Sequence, residues 1–180
     1  MAIPREEYKE RITNKMVLTE KEINYLAGFI DGDGSIYAKI AQAKDRKFKY
    51  AIRVEISLTQ KSSRRWFLEK WQKKLGCGKL NYAEESPKKT VDNLIIGQMG
   101  KVRELLFLLK NNLMIKKGQA KDAIVLIDKY YKRKNMTLED FCSVCSLADK
   151  ITAQNDSIKA ENFVTGASVI KELRENNPLK

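Results

Sequence analysis

The chain has 180 residues and not one histidine. The side chain that most often serves as a general base near neutral pH is therefore missing, and so is the commonest nitrogen ligand of zinc. Any chemistry must use carboxylates, lysine, a metal ion or water. Cysteine is scarce and odd in number (Cys77, Cys142 and Cys145), which argues against a disulfide framework and for a reducing compartment. Cys142-Ser-Val-Cys145 has CxxC spacing, but it lies in a helical pattern with no second pair, so both read as small core residues. No apolar run approaches the roughly 18 residues of a membrane span. The opening MAIPREEYKERITNK mixes acids with bases, unlike a secretory signal or a transit peptide. Membrane and secreted roles are thus not expected.

What remains is a globular composition with a strong positive bias. Lysine plus arginine number 35 against 23 acids, a formal net charge of +12, and 43% of residues are hydrophobic. That length suits one domain or a compact pair, and the charge suggests a polyanionic partner, nucleic acid first.

The stretch from Leu26 to Ile36, LAGFIDGDGSI, organises the rest. An apolar helical segment runs directly into two carboxylates interleaved with two glycines. Acidic groups at a helix C-terminus face the negative end of the macrodipole, so Asp31 and Asp33 are misplaced unless they cap something or hold a cation. Carboxylate oxygens are hard ligands of the kind Mg²⁺ takes. Thr19-Glu20-Lys21-Glu22 is a capping box that opens this helix. Its apolar residues cover nearly the whole circumference, which predicts burial on more than one side. The motif occurs once, so a second copy of the chain is the simpler partner.

From Ser35 the period changes to two. Ile36, Ala38 and Ile40 alternate with Tyr37 and Lys39, and Ile52, Val54, Ile56 and Leu58 alternate with Arg53, Glu55 and Ser57, which predicts a long antiparallel hairpin. Such a ribbon fits the DNA major groove. Ser62 and Ser63 offer N-caps to a helix through Phe67, Leu68, Trp71 and Leu75, closed by Gly76. Further strands are expected at Lys79 to Glu84 and Val91 to Ile96, then helices beginning near Val102, after Gln119 and at the Thr137 cap. The order helix, hairpin, helix, hairpin, helices is an α+β domain. The expected divisions are a basic arm at 1–18, the domain at 19–157 and a C-terminal helical extension at 158–180.

LAGFIDGDG resembles the signature of the LAGLIDADG homing endonucleases. The likeness continues through TQKSSRRWFLEK (Thr59 to Lys70), MIKKGQA (Met114 to Ala120) and FCSVCSLADKITAQNDS (Phe141 to Ser157). With one motif, the chain is similar to the homodimeric branch encoded in introns of algal organelle genomes. The resemblance implies an αββαββα fold, an antiparallel β-saddle with helices on one face, and a homodimer through the motif helices. Expected interface residues are Tyr25, Leu26, Ala27, Gly28, Ile30 and Asp31. It implies double-strand cleavage of a long pseudo-palindromic site, with Mg²⁺ held by Asp33 and the Gly32 carbonyl, and with Mn²⁺ or Ca²⁺ substituting for binding. Gln60, Arg64 and Lys116 match the family's catalytic pocket. By the alternation, Tyr37, Lys39, Arg53, Glu55, Ser57, Lys79, Asn81, Asn93 and Ile95 are expected to face DNA. Arg46 in the hairpin loop, with Lys61, Lys117, Asn155, Ser157 and Lys159, completes that set. The alternative is an RNA maturase acting on its own intron RNA. An intracellular, organellar protein is expected.

Overall fold

The computed structural model describes residues 15–83, 90–132, 136–155 and 163–176. Its elements run α1 (Glu20–Asp33), β1 (Gly34–Gln42), β2 (Tyr50–Lys61), a 3-10 turn (Ser62–Arg64), α2 (Arg65–Leu75), β3 (Lys79–Asn81), β4 (Val91–Ile96) and α3 (Met99–Leu109). Three more helices follow: α4 (Lys117–Lys132), α5 (Leu138–Ala153) and α6 (Gly166–Asn176). Apart from the 3-10 turn, the elements from α1 to α3 follow the expected αββαββα order.

The period-two pattern sets the sheet. Its four strands are antiparallel in the order β1-β2-β4-β3. One side carries rows such as Ile36–Ile56–Ile96 and Leu58–Leu94–Leu80, in pairing register. Ile36, Ile56, Ile96, Leu58 and Leu94 are fully buried under the helices. The other side carries Tyr37–Glu55, Lys39–Arg53, Ser57–Ile95–Lys79 and Thr59–Asn93–Asn81. A slip of one residue would exchange these faces, so the burial of the aliphatic set fixes which side chains point outward.

Local signals hold where neighbours do not compete. Thr19 and Glu22 form the capping box of α1, and Thr137 with Asp140 repeats it at α5. Gly76 ends α2 at φ 63, the left-handed conformation glycine tolerates. Gly34 is needed for a different reason. Helix and strand join so tightly there that a Cβ would lie 2.7 Å from the Ile30 Cα.

Three expectations are corrected. Ser62 and Ser63 do not cap α2, which has no side-chain cap, because the Ser62 hydroxyl donates instead to Asp92 Oδ1 at 3.0 Å. The third strand ends at Asn81 rather than Glu84, with 84–89 outside the described residues. The arm does not extend to 18, since Met16 is buried in the core and its N–H donates to Glu104 Oε1 at 2.7 Å. At the other end, α6 is docked on the body. Asp149 accepts the N–H groups of Gly166 and Ala167 at 2.6 and 2.8 Å, and Val169 and Leu173 are buried.

Candidate functional site

The motif helix has two unlike sides. Leu26, Ala27 and Ile30 are fully buried in the chain's own core. They therefore offer no surface to another copy, which corrects their expected place in an interface. Phe29 packs on Phe67 with ring centroids 4.7 Å apart, and Tyr25 stacks on Trp71 at 6.2 Å. Much of the apolar circumference is thus used within one chain, because α2 supplies an aromatic neighbour that the helix pattern could not announce. The remaining stripe carries Lys21, Tyr25, Gly28 and Gly32, all exposed, and a Cβ at either glycine would meet nothing within 4 Å.

Asp31 works within the chain as a staple rather than as an interface group. Its carboxylate accepts the N–H groups of Met114 (2.7 Å) and Lys116 (2.9 Å), while the Lys116 ammonium donates to the Asp31 carbonyl at 2.6 Å. A cation from a remote loop therefore sits at the negative end of α1, where the helix has no basic residue of its own. Asp33, the last residue of α1, is exposed and has no hydrogen bond or ion pair among the described residues.

Gly34 pairs with Leu58 at the end of the β1–β2 ladder, so Asp33 lies one residue before that pair and Gln60 two residues beyond it, where Gln60 pairs with Asp92 of β4. Gln60 Oε1 accepts from Arg64 Nη1 at 3.3 Å and from the Lys61 N–H at 3.0 Å. Arg64 of the 3-10 turn is thus tied to Gln60 near the end of β2, and Lys116 is tied through Asp31 to the end of α1 that carries Asp33. Lys61 and Lys117, both exposed, flank them.

The open face of the sheet carries Lys39, Arg53, Lys61 and Lys79 as exposed cations around one carboxylate. Glu55 accepts the Tyr37 hydroxyl at 2.6 Å and Lys39 Nζ at 3.2 Å. Burial, and then the Glu55 bond, push the Tyr37 phenol well above its ordinary range. Asn93 accepts the Thr59 hydroxyl at 2.6 Å, which orients its amide. Ser57 is on this face but nearly covered, while Ile95 and Asn81 are half exposed beside it. Arg46 is exposed in the hairpin turn, 3.6 Å from its neighbour Asp45.

Asn155 is corrected: its Nδ2 donates to the carbonyls of Ile36 and Ile151, both at 3.1 Å, so it binds α5 to β1 instead of reaching outward. Ser157 and Lys159 lie outside the described residues. Cys142 and Cys145 are buried, and burial pushes the Cys145 thiol up to about 12.

Asp92 was missed. Its carboxylate is fully buried beneath the 3-10 turn and accepts from Ser62, Arg65 and Ala83. The signal was present, since position 92 is in phase with Leu94 and Ile96 and so points to the core.

The model of the LAGLIDADG endonuclease family matches residues 26–117. DNA endonuclease I-CreI of Chlamydomonas reinhardtii is 35% identical over 133 residues, 74% of this chain and 78% of the relative. DNA endonuclease I-CvuI of Chlorella vulgaris is 32% identical over 142 residues, 77% of this chain and 84% of the relative. The crystal structure of I-CvuI in complex with its target in the presence of Ca matches with a TM-score of 0.74 and 26% identity, covering 87% of this chain and 94% of that one. I-CvuI has also been solved with the I-CreI target in the presence of Mg, the DNA not cleaved, with the same TM-score and 25% identity. The relatives and the fold define a site-specific DNA endonuclease of the homing type. The chain belongs to the LAGLIDADG endonuclease family.

Proposed function

We propose that two copies of this chain cut both strands of a long pseudo-palindromic DNA site with Mg²⁺ bound at the ends of their motif helices, promoting the mobility of the intron that encodes them. The observation that carries this is Asp33, an exposed carboxylate without an intrachain partner among the described residues, at the end of a helix whose outer stripe is open at Gly28 and Gly32. Closely approaching helices need such small residues, and pairing along this stripe would set two copies of Asp33 side by side.

The donor set suits a hard divalent ion. Asp33 and the Gly32 carbonyl offer oxygens only, and among the described residues no three acidic or thiol groups cluster to hold a metal. One chain is therefore short of ligands, whereas Mg²⁺ commonly takes one or two carboxylates and completes its shell with water and phosphate. Bound there, the ion neutralises charge on the scissile phosphate and acidifies the attacking water.

The rest of the pocket acts through its own groups. Gln60 holds the Arg64 guanidinium, whose remaining N–H donors can meet the non-bridging phosphate oxygens as charge grows on them. Lys116, with one hydrogen on the Asp31 carbonyl, keeps two for phosphate or solvent. Lys39 and Lys61 of the open face track the backbone, while Arg53, Lys79, Asn81 and Asn93 reach toward base edges. On this reading the protein works in the organelle whose genome carries the intron.

The test is incubation of a plasmid bearing the intron-free host gene with purified protein, with and without Mg²⁺. Linearisation with Mg²⁺ is expected, and Asp33→Asn should abolish it while leaving DNA binding largely intact. Loss of binding in that variant would overturn the metal assignment. An intact plasmid at a correct site would favour the maturase acting on intron RNA.

A further inference from the structure

A carboxylate buried on the core face of a sheet is costly, and an apolar residue of similar size there is often neutral or stabilising. Asp92 occupies such a position between the start of β4 and Leu94, with no exposed surface. Its three donors come from three different segments. Ser62 Oγ reaches Oδ1 at 3.0 Å from the first residue of the 3-10 turn. Arg65 Nε reaches Oδ2 at 2.9 Å from the first residue of α2. The Ala83 N–H reaches Oδ1 at 2.7 Å from the chain after β3.

Ser62 and Arg65 bracket Arg64, and Asp92 lies opposite Gln60 in the β2–β4 register. Both ends of the turn that presents Arg64 are thus fastened to one rigid, buried anion. The Ser62 N–H adds a bond to the Thr90 carbonyl at 3.2 Å, and the Arg65 guanidinium lies over the Tyr82 ring at 4.3 Å. Among the described residues the hydrogen bond of Arg64 is to Gln60 and not to any of these groups.

We propose that Asp92 is a positioning residue for DNA cleavage, fixing the Ser62–Arg65 turn so that Arg64 and Gln60 are held together toward the phosphate. This rests on the endonuclease reading above. Without the anion, Ser62 and Arg65 lose their common anchor and the turn acquires alternative geometries. DNA affinity, which comes from the sheet face, is left in place. The Ala83 bond makes the same carboxylate a link between the β3–β4 hairpin and the cleavage turn.

The test compares wild type, Asp92→Asn, Ser62→Ala, Arg64→Ala and the double variant of positions 92 and 64 on the host-gene plasmid. Single-turnover rates at saturating protein, dissociation constants without divalent ion and thermal unfolding are measured for each. Asp92→Asn should slow cleavage about ten- to hundredfold, the range expected of a misplaced catalytic group, with binding changed less than about threefold. In the Arg64→Ala background the same change should slow cleavage by less than about twofold, because residues acting through one another are not additive. An equal factor in both backgrounds, or full activity in Asp92→Asn, would overturn the proposal. If Asp92→Asn fails to fold, Ser62→Ala decides, since it keeps the ion pair and removes one fastening. It should cleave several-fold more slowly at unchanged affinity, and an unchanged rate would overturn the proposal. A wild-type chain that cuts nothing would instead remove the endonuclease reading on which all of this stands.

Discussion

Replacing Gly28 by leucine gives opposite results according to what covers the outer stripe of α1. In a single chain nothing lies within 4 Å of a Cβ at this position, so the folded protomer accepts the larger side chain. Glycine inside a helix costs about 0.5–1 kcal/mol relative to better helix formers, so the helix itself should gain that amount. If the stripe were solvated, Gly28→Leu would be a mildly stabilising, functionally silent change. If two motif helices cross there, the substituent appears twice, once from each copy, at a point of close approach. Overpacking costs about 1–3 kcal/mol per site, so the pair would lose about 2–6 kcal/mol. The dissociation constant would then rise roughly 30-fold to 10⁴-fold, at tenfold per 1.4 kcal/mol. Sedimentation velocity at micromolar concentration should show wild type as a dimer and the variant at half the mass. Circular dichroism should show the same helix content in both, and double-strand cleavage should vanish. A Gly28→Leu protein that is dimeric and cuts normally refutes the assignment of the stripe. One that does not fold refutes the claim that the position is open.

Two further outcomes follow from the structure. Gly34→Ala places a methyl 2.7 Å from the Ile30 Cα and 3.1 Å from its carbonyl oxygen, so urea unfolding should show a loss of about 1–3 kcal/mol, the usual cost of forcing atoms into a packed site; an unchanged midpoint would show that helix and strand can part there freely. The Asp92 carboxyl is held below its ordinary 3.8, first by the hydrogen bond from Arg65 and then by those from Ala83 and Ser62, against the opposing effect of burial. A lowered folded-state value gives stability that is present above the unfolded value and lost as pH falls through the folded one, so wild type should weaken below about pH 4, and Asp92→Asn, measured by urea midpoints, should lack that part of the acid loss.

The elements that were legible in the sequence are those fixed by short-range rules. Alternation of Ile36, Ala38 and Ile40 against Tyr37 and Lys39 gave the hairpin and its outward face, because one-residue slips would bury charge. The capping boxes at Thr19 and Thr137 were legible because both partners lie within four residues. What failed depended on distant neighbours. Ser62 looked like a cap until Asp92, thirty positions on, took its hydroxyl. The motif helix looked apolar all round, yet only the tertiary fold shows that Leu26, Ala27 and Ile30 face the sheet while Phe29 meets α2. Asn155 was expected among the DNA contacts, and its use on the Ile36 carbonyl of β1 needs the packing of α5. Gln60, Arg64 and Lys116 were named through the family likeness, but that Gln60 accepts from Arg64 while Lys116 donates to Asp31 was not legible.

The attachment of α5 to β1 has a consequence for the behaviour of the protein when it is free of DNA. An unpaired strand edge is a template for unwanted pairing between molecules. At β1 the carbonyls of Ile36 and Ala38 are already engaged by Asn155 and Thr152. At the opposite edge, β3 runs only from Lys79 to Asn81. With both margins blunted, an aliphatic ribbon on a highly charged chain stays a four-stranded surface of fixed width. The length of duplex one protomer can span is then set by the fold and not by growth of the sheet.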